Sequence, residues 1–211
     1  MAQIFSVHPD NPQLRLIRQA ADIIRKSGVI VYPTDSCYAL GCQIGDKAAM
    51  ERIRAIRGVD ARHHFGLLCR DLAEAATYAR INDRQFRLIK AALPGSYTFI
   101  LQATREVPRR LLHPRRKTIG VRIPSHRVVQ ALLAELGEPL LSSTLMLPGD
   151  AEPLSDAQEI RDRLGRRVDL ILEGGSCGVV PTTVVDMTAD VPVITRQGKG
   201  AAELFGEFVG A

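Results

Sequence analysis

The chain is poor in cysteine and has no long apolar run, and each shortage closes off a class of protein. Cys37, Cys42, Cys69 and Cys177 show neither CxxC spacing nor the density of a small secreted domain, so they read as reduced thiols of a cytosolic protein. No apolar stretch approaches the length of a bilayer span. Met1 to Asn11 is polar and lacks the basic-then-apolar order of an export signal. A cytoplasmic protein with no membrane partner is the expectation. The usual nucleotide loops are missing as well: there is no GxxxxGK[ST], and no GxGxxG between a strand and a helix. No GxSxG elbow marks a serine hydrolase, and the histidines and cysteines lack the spacing of a zinc site. The adjacent His63-His64 reads as a solvated pair in a basic loop, and no metal is expected.

What is present is ordinary globular material. With 211 residues, 45% hydrophobic and 24% charged, the chain has enough apolar side chains for a real core. The excess of 28 Lys+Arg over 23 Asp+Glu is mild, but it is unevenly placed. Arg105, Arg109, Arg110, Arg115, Arg116, Lys117, Arg122 and Arg127 follow one another with Glu106 as the only acid between them. Such a block attracts phosphates of a nucleotide or a nucleic acid, or is a solvated basic loop. Arg122 differs from the rest because it lies inside an apolar strand-like segment and needs a partner there.

Periodicity and caps divide the chain into interleaved helices and strands. Asn11-Pro12 opens a helix with Leu14, Ile17, Ala20, Ala21 and Ile24 on one face and Gly28 as its stop. Asp46 caps a second helix that ends at Gly58, and Asp71 with Glu74 and Asn82 with Gln85 form capping boxes for two more. Ser125 caps a helix running to Gly137, and Ser155 with Gln158 starts another running to Leu164. Strands are expected at 29–32, 65–69, 97–103, 118–123, 140–145, 168–172, 183–187 and 191–196. Several successive strands have no helix between them. The expectation is therefore one α/β domain over residues 1–211, with a twisted, mixed open sheet flanked by helices.

Polar residues gather where apolar strands end. Val29 to Tyr32 runs into Pro33-Thr34-Asp35-Ser36, Leu140-Leu141 into Ser142-Ser143-Thr144, and Ile194-Thr195 into Arg196. Pro181-Thr182-Thr183 precedes Val184-Val185-Asp186, while Thr118 and Arg122 bracket Ile119-Gly120-Val121. Any one of these is an ordinary strand-edge or turn residue. The set points to a ligand at the strand ends of an open α/β sheet.

These same segments carry a family resemblance. Pro33 to Gly41 resembles the PTDTxYGLG motif of the YrdC/YciO threonylcarbamoyl-adenylate synthase family, and Pro94-Gly95-Ser96-Tyr97-Thr98 is similar to its PGPxT element. Lys117 to His126 resembles TVGVRxPxH, Pro181 to Asp186 resembles PSTVVD, and Arg196-Gln197-Gly198 is similar to the terminal RxG. The matches keep the family's order from about Leu14 to Gly200.

The resemblance implies a YrdC-like fold around a large basic cavity. It also implies an enzyme that joins threonine, bicarbonate and magnesium-bound ATP into threonylcarbamoyl-adenylate for the modification of a tRNA adenosine. ATP with Mg2+ would be a substrate, and no tightly bound cofactor is expected. Carried over by position, Thr34, Arg122, Ser142 and Thr182 would hold the threonine or carbamate end, and Arg57, Thr118, Thr144 and Arg196 the nucleotide. Such a site would work by positioning and charge neutralisation. Asp35 is the only visible general base, with turn capping as its other reading.

The chain departs from the family pattern in ways that resemble the YciO branch. KxR becomes Arg57-Gly58-Val59, SxSAN becomes Ser142-Ser143-Thr144-Leu145-Met146, and a tryptophan before the PG element becomes Leu93. If Val59 and Met146 line the nucleotide end, two polar groups are gone from it. Three function classes stay open. One is an enzyme of threonylcarbamoyl-adenylate chemistry, or a relative acting on a threonylcarbamoyl compound or modified tRNA. Another is an RNA-binding protein for tRNA, rRNA or double-stranded RNA that uses Arg109, Arg110, Arg115 and Arg116. The last is a small-molecule binding module.

Overall fold

The computed structural model describes residues 1–60 and 63–205. Its strands are β1 (Gln3–Ser6), β2 (Ile30–Tyr32), β3 (Ala39–Gln43), β4 (Gly66–Leu68), β5 (Tyr97–Gln102), β6 (Thr118–Arg122), β7 (Leu140–Thr144), β8 (Leu170–Glu173), β9 (Thr183–Asp186) and β10 (Val193–Arg196). They form one sheet in the order β1-β8-β2-β3-β7-β4-β6-β5-β9-β10. The β1/β8, β2/β8, β4/β6 and β5/β9 pairs are parallel and the others antiparallel, as expected where strands follow one another without a helix. The helices are α1 (Leu14–Arg25), α2 (Lys47–Arg57), α3 (Leu72–Tyr78), α4 (Asp83–Ala92), α5 (Arg127–Leu136) and α6 (Ala157–Leu164).

Each face of the sheet buries its own aliphatic cluster. On one face, Ile17, Ala20, Ala21 and Ile24 of α1 and Val128, Val129, Leu132, Leu133 and Leu136 of α5 pack over Ile30, Tyr32, Leu140, Leu170 and Leu172. On the other, α2 and α4 cover Leu40, Leu67, Phe99, Ile119, Val121 and Leu141. Each fully buried aliphatic side chain contributes roughly 1.5–3 kcal/mol. Gly41 is a packing requirement in this arrangement, because a Cβ there would come within 2.6 Å of the Tyr32 ring.

Several helix starts fall later than their sequence signals. Asn11 sits in a turn where its N–H and that of Asp10 donate to Nδ1 of His8, so α1 begins after Gln13 with no side-chain cap, and Leu14 is exposed. The chain also leaves α1 through Ser27, at φ 64°, before it reaches Gly28. α5 starts after His126, one residue beyond Ser125, and has no side-chain cap. Asp156 rather than Ser155 caps α6, its carboxylate accepting from the Glu159 N–H at 2.8 Å. A charged acceptor suits the positive end of a helix better than a hydroxyl does. Asp46, Asp71 and Asn82 cap where expected, and Asn82–Gln85 closes both bonds of its box. Glu74 instead accepts from the Arg70 N–H. Among the described residues no helix is long and apolar enough to cross a membrane.

β1 and β3 have no counterpart among the expected strands. β1 is a short edge strand whose two middle residues are half-buried and whose two ends are exposed, with no alternation. β3 begins inside the stretch 33–41 and runs on to Gln43: the chain reverses after Tyr32 and returns antiparallel, with Tyr32 opposite Ala39.

Candidate functional site

One face of the central sheet is not fully covered by α1 and α5, and a cavity of about 330 Å³ stands on the remainder. Its floor follows the two-residue period of the strands: Gly66 and Leu68 of β4, Thr98 and Ile100 of β5, Thr118, Gly120 and Arg122 of β6, and Ser142 and Thr144 of β7. The alternate residues Leu67, Phe99, Val121 and Leu141 belong to the core on the opposite face. The site is thus a sheet face as well as a set of strand ends. Gly66 and Gly120 give it depth. A Cβ on Gly120 would make only ordinary contacts, with Thr98 at 3.4 Å and Gly66 at 3.9 Å, so the missing side chain leaves room for a ligand rather than relieving a clash.

Arg122 stands at the end of β6 and is 8% exposed. Its Nη2 donates to Asp35 Oδ1 at 2.6 Å and to the hydroxyls of Thr34 and Ser36 at 3.0 Å, while its buried Nε has no partner among the described residues. The Ser96 hydroxyl donates to the other oxygen of Asp35 at 2.9 Å, so the segments around Pro33, Gly95 and Arg122 meet on one carboxylate. Thr34, not Asp35, organises the 34–38 turn: its hydroxyl accepts from the Ser36 and Cys37 N–H groups and donates to the Cys37 carbonyl at 2.6 Å. Asp35 is the counter-charge of Arg122.

Arg57 and Arg196 have no acidic partner among the described residues. Arg57, the last residue of α2, donates through Nη1 to Ser143 Oγ and His63 Nε2, each at 2.8 Å, and through Nε to the Met146 carbonyl at 3.4 Å. Arg196 in β10 donates to the Thr182 carbonyl at 2.9 Å and, at 3.4 Å, to its hydroxyl, which is 2.8 Å from that of Thr98. Burial lowers the pKa of both groups, Arg196 lowers that of Arg57 further, and Arg122 lowers that of Arg196. Two charges with neutral acceptors in one cavity call for an anion. Ser142 accepts from the buried Tyr32 hydroxyl at 2.6 Å, which leaves its own proton free to donate. Burial pushes the Tyr32 phenol up, so it stays protonated. The remaining strand-end threonine, Thr183, donates to the Gly200 carbonyl at 2.6 Å and accepts from the Gly198 N–H at 2.9 Å, which fixes the Arg196-Gln197-Gly198 segment against β9.

The cavity wall brings together Arg122, Ser142, Thr182, Arg57, Thr118, Thr144 and Arg196. Thr34 is 2% exposed and does not line the cavity; it reaches the site through Arg122 and Cys37. Met146 lines the cavity and Val59 does not, so only one of the two apolar departures faces this space. The basic block splits. Arg116 lines the cavity and pairs with Asp186 at 3.2 Å, and Arg110 donates to the Gly45 carbonyl. Arg109 and Arg115 are exposed. His63 is half-buried and His64 exposed, so the solvated reading holds for His64 alone; both line the cavity, and the His64 ring lies tilted against His113 at 4.8 Å between ring centres. Their place just before β4 is the one sequence signal that could have found them.

With this geometry described, comparison with known proteins places the chain. The model of the Sua5/YciO/YrdC family, described as "Telomere recombination", matches residues 22–198. The chain belongs to this family. It is 58% identical over 205 residues to the uncharacterized protein YciO of Escherichia coli K12, covering 97% of this chain and all of that one. The crystal structure of E. coli YciO superposes with a TM-score of 0.94 over 98% of this chain and 100% of that one. The threonylcarbamoyl-AMP synthase of Nitrosococcus oceani is 34% identical over 159 residues, 75% of this chain and 85% of the synthase. The crystal structure of P. abyssi Sua5 complexed with L-threonine matches with a TM-score of 0.88 at 25% identity, over 99% of this chain and 62% of that one.

Proposed function

We propose that the chain is a nucleotide- and threonine-binding enzyme of threonylcarbamoyl-adenylate chemistry. The observation that carries this reading is a cavity in which Arg57 and Arg196 meet only uncharged acceptors among the described residues, beside the hydroxyls of Ser142, Thr144 and Thr182. Kinship with a threonylcarbamoyl-AMP synthase and with a Sua5 that binds L-threonine supports it. In this reading Arg57, Thr118, Thr144 and Arg196 hold the polyphosphate of magnesium-bound ATP, and Arg122 and Ser142 hold the small acid. Thr34 and Thr182 act by fixing Arg122 and Arg196. Arg122 enters already paired with Asp35, so it presents one remaining edge to a carboxylate rather than a full fork. The protein orients the carbamate formed from threonine and bicarbonate toward the α-phosphate and neutralises charge as pyrophosphate leaves. Met146 offers the nucleotide no hydrogen bond, so ATP binding is weaker than in a synthase that keeps the asparagine.

The test is incubation of the pure protein with ATP, Mg2+, threonine and bicarbonate, with pyrophosphate release and a threonylcarbamoyl-adenylate mass as readouts. The expected result is slow, threonine-dependent formation of both products, accelerated by Met146→Asn. Absence of both products in wild type and variant would overturn the synthetic reading. A second reading, RNA binding, is favoured by the exposed Arg109 and Arg115 beside the cavity-lining Leu111, His113 and Arg116.

A further inference from the structure

The histidines at the cavity wall are not absorbed by this reading. We infer that His63 is itself an anion-binding residue of the cavity, and that its imidazole takes up a proton from solvent when an anion of the phosphate class binds at Arg57. The inference rests on the anion-binding reading of the cavity and extends it to a second ligand group and a linked proton.

The geometry starts from the hydrogen-bond inventory. Arg57 Nη1 can only donate, so at 2.8 Å the Nε2 atom of His63 must present a lone pair, which places the ring proton on Nδ1. Nε2 is also 3.3 Å from Ser143 Oγ, which accepts from the same Nη1 at 2.8 Å. The guanidinium, the hydroxyl and the imidazole thus share one corner of the cavity. Both Nη1 hydrogens are taken, so an anion at Arg57 replaces His63 as the acceptor of one of them and brings oxygen lone pairs toward the lone pair of Nε2. Two facing acceptors repel, whereas a protonated Nε2 becomes a second donor to the same anion. Anion binding therefore selects the imidazolium.

The electrostatics of the corner act in the same sense. Burial, Arg57, His64 and Arg54 push the His63 pKa down to about 4, and Asp60 opposes them. Phe65 meets its ring edge-on at 5.5 Å, and His113 stands one ring further away, against His64. An anion adds negative charge beside Nε2 and offsets Arg57, so the proton binds more tightly with the anion than without it. By linkage the anion binds more tightly as pH falls, by up to about tenfold per pH unit for one proton.

Sulfate is a suitable probe because it does not titrate in this range. Calorimetric titration of the full chain with sulfate, in buffers of different ionisation enthalpy between about pH 7 and 5.5, measures affinity and proton uptake together. Wild type is expected to take up a proton fraction that grows as affinity rises with falling pH. Arg57→Gln should lose the isotherm, which locates the ion. His63→Gln can donate through its amide but cannot titrate, so it should bind sulfate with a flatter pH dependence and less proton uptake. Equal slope and uptake in wild type and His63→Gln would assign the linkage to His64 or His113 and overturn the inference. Sulfate binding without proton uptake would overturn it while leaving the anion-binding reading intact; failure of both sulfate and pyrophosphate to bind would remove both. If His63→Gln does not fold, an NMR titration of the wild-type His63 ring decides: a pKa raised by sulfate supports the inference, and an unmoved pKa overturns it.

Discussion

Arg122 and Asp35 depend on each other more than on any ligand. Their side chains are 9% and 11% exposed and 2.6 Å apart, so each removes the penalty of the other's burial. Arg122→Ala should therefore destabilise the fold by about 3 kcal/mol in a denaturant titration, because it leaves Asp35 unpaired. Asp35→Ala should cost a comparable amount, and the double variant should cost less than the sum of the two, with a coupling of about 1 kcal/mol or more. Additive costs would show the pair to be independent. The expectation that Arg122 needs a partner inside its strand came from its apolar neighbours. The identity of that partner did not, since Asp35 lies far away in sequence.

At the scale of elements, β6 forms part of the cavity floor, and the loop before it presents the exposed Arg109 and Arg115. Gly120 stands at the centre of the cavity floor, where a Cβ meets nothing closer than ordinary van der Waals distance. Gly120→Val should keep the melting temperature within a few degrees of wild type while abolishing binding of ATP and of sulfate. Unchanged ligand binding would move the ligand out of this cavity. The loop from 105 to 117 is testable through salt. If Arg109 and Arg115 meet RNA phosphates, reversing both to Glu should reduce the slope of log K against log salt by about 0.7–0.9 for each phosphate that the protein no longer neutralises. An unchanged slope would return the loop to the class of solvated basic segments. Caps and stops were legible wherever a local side chain decides the element, as at Asp46, Asn82 and Gly58. The starts of α1 and α6 were displaced because neighbouring polar groups compete for the same turn, α5 starts one residue late without a side-chain cap, and β1 was hidden because its residues do not alternate between buried and exposed.

At the scale of the molecule, pH dependence follows from the histidines. Burial lowers the pKa of His63, His64 and His126; cations or a neighbouring histidine add to it at His63 and His64, whereas at His126 Asp35 and Asp10 oppose it and Arg122 adds to it. The unfolded chain binds protons on these groups below about pH 6.5, while the native state resists. Their contribution to stability is therefore complete above about pH 6.5 and is lost as pH falls, down to about 4 for His63. The melting temperature should drop over that window, and His63→Gln should flatten the fall. A melting temperature independent of pH between about 7 and 5 would contradict the lowered pKa values of these rings.

The sequence by itself determined the mixed α/β class, most strands to within a few residues, and the set of polar segments that compose the site, because period, caps and motif order are local and survive without a fold. The tertiary structure alone decided how those segments meet. Pairing β4 with β6 and β7 brings Gly66, Gly120 and Ser142 side by side and turns strand ends into a cavity floor. The same pairing moves Thr34 behind Arg122, leaves Val59 outside, and carries His63 against Arg57 and Ser143. Apart from Arg57 and His63, six positions apart, such meetings join residues tens of positions apart, and the strand order fixes which of them lie within hydrogen-bond distance.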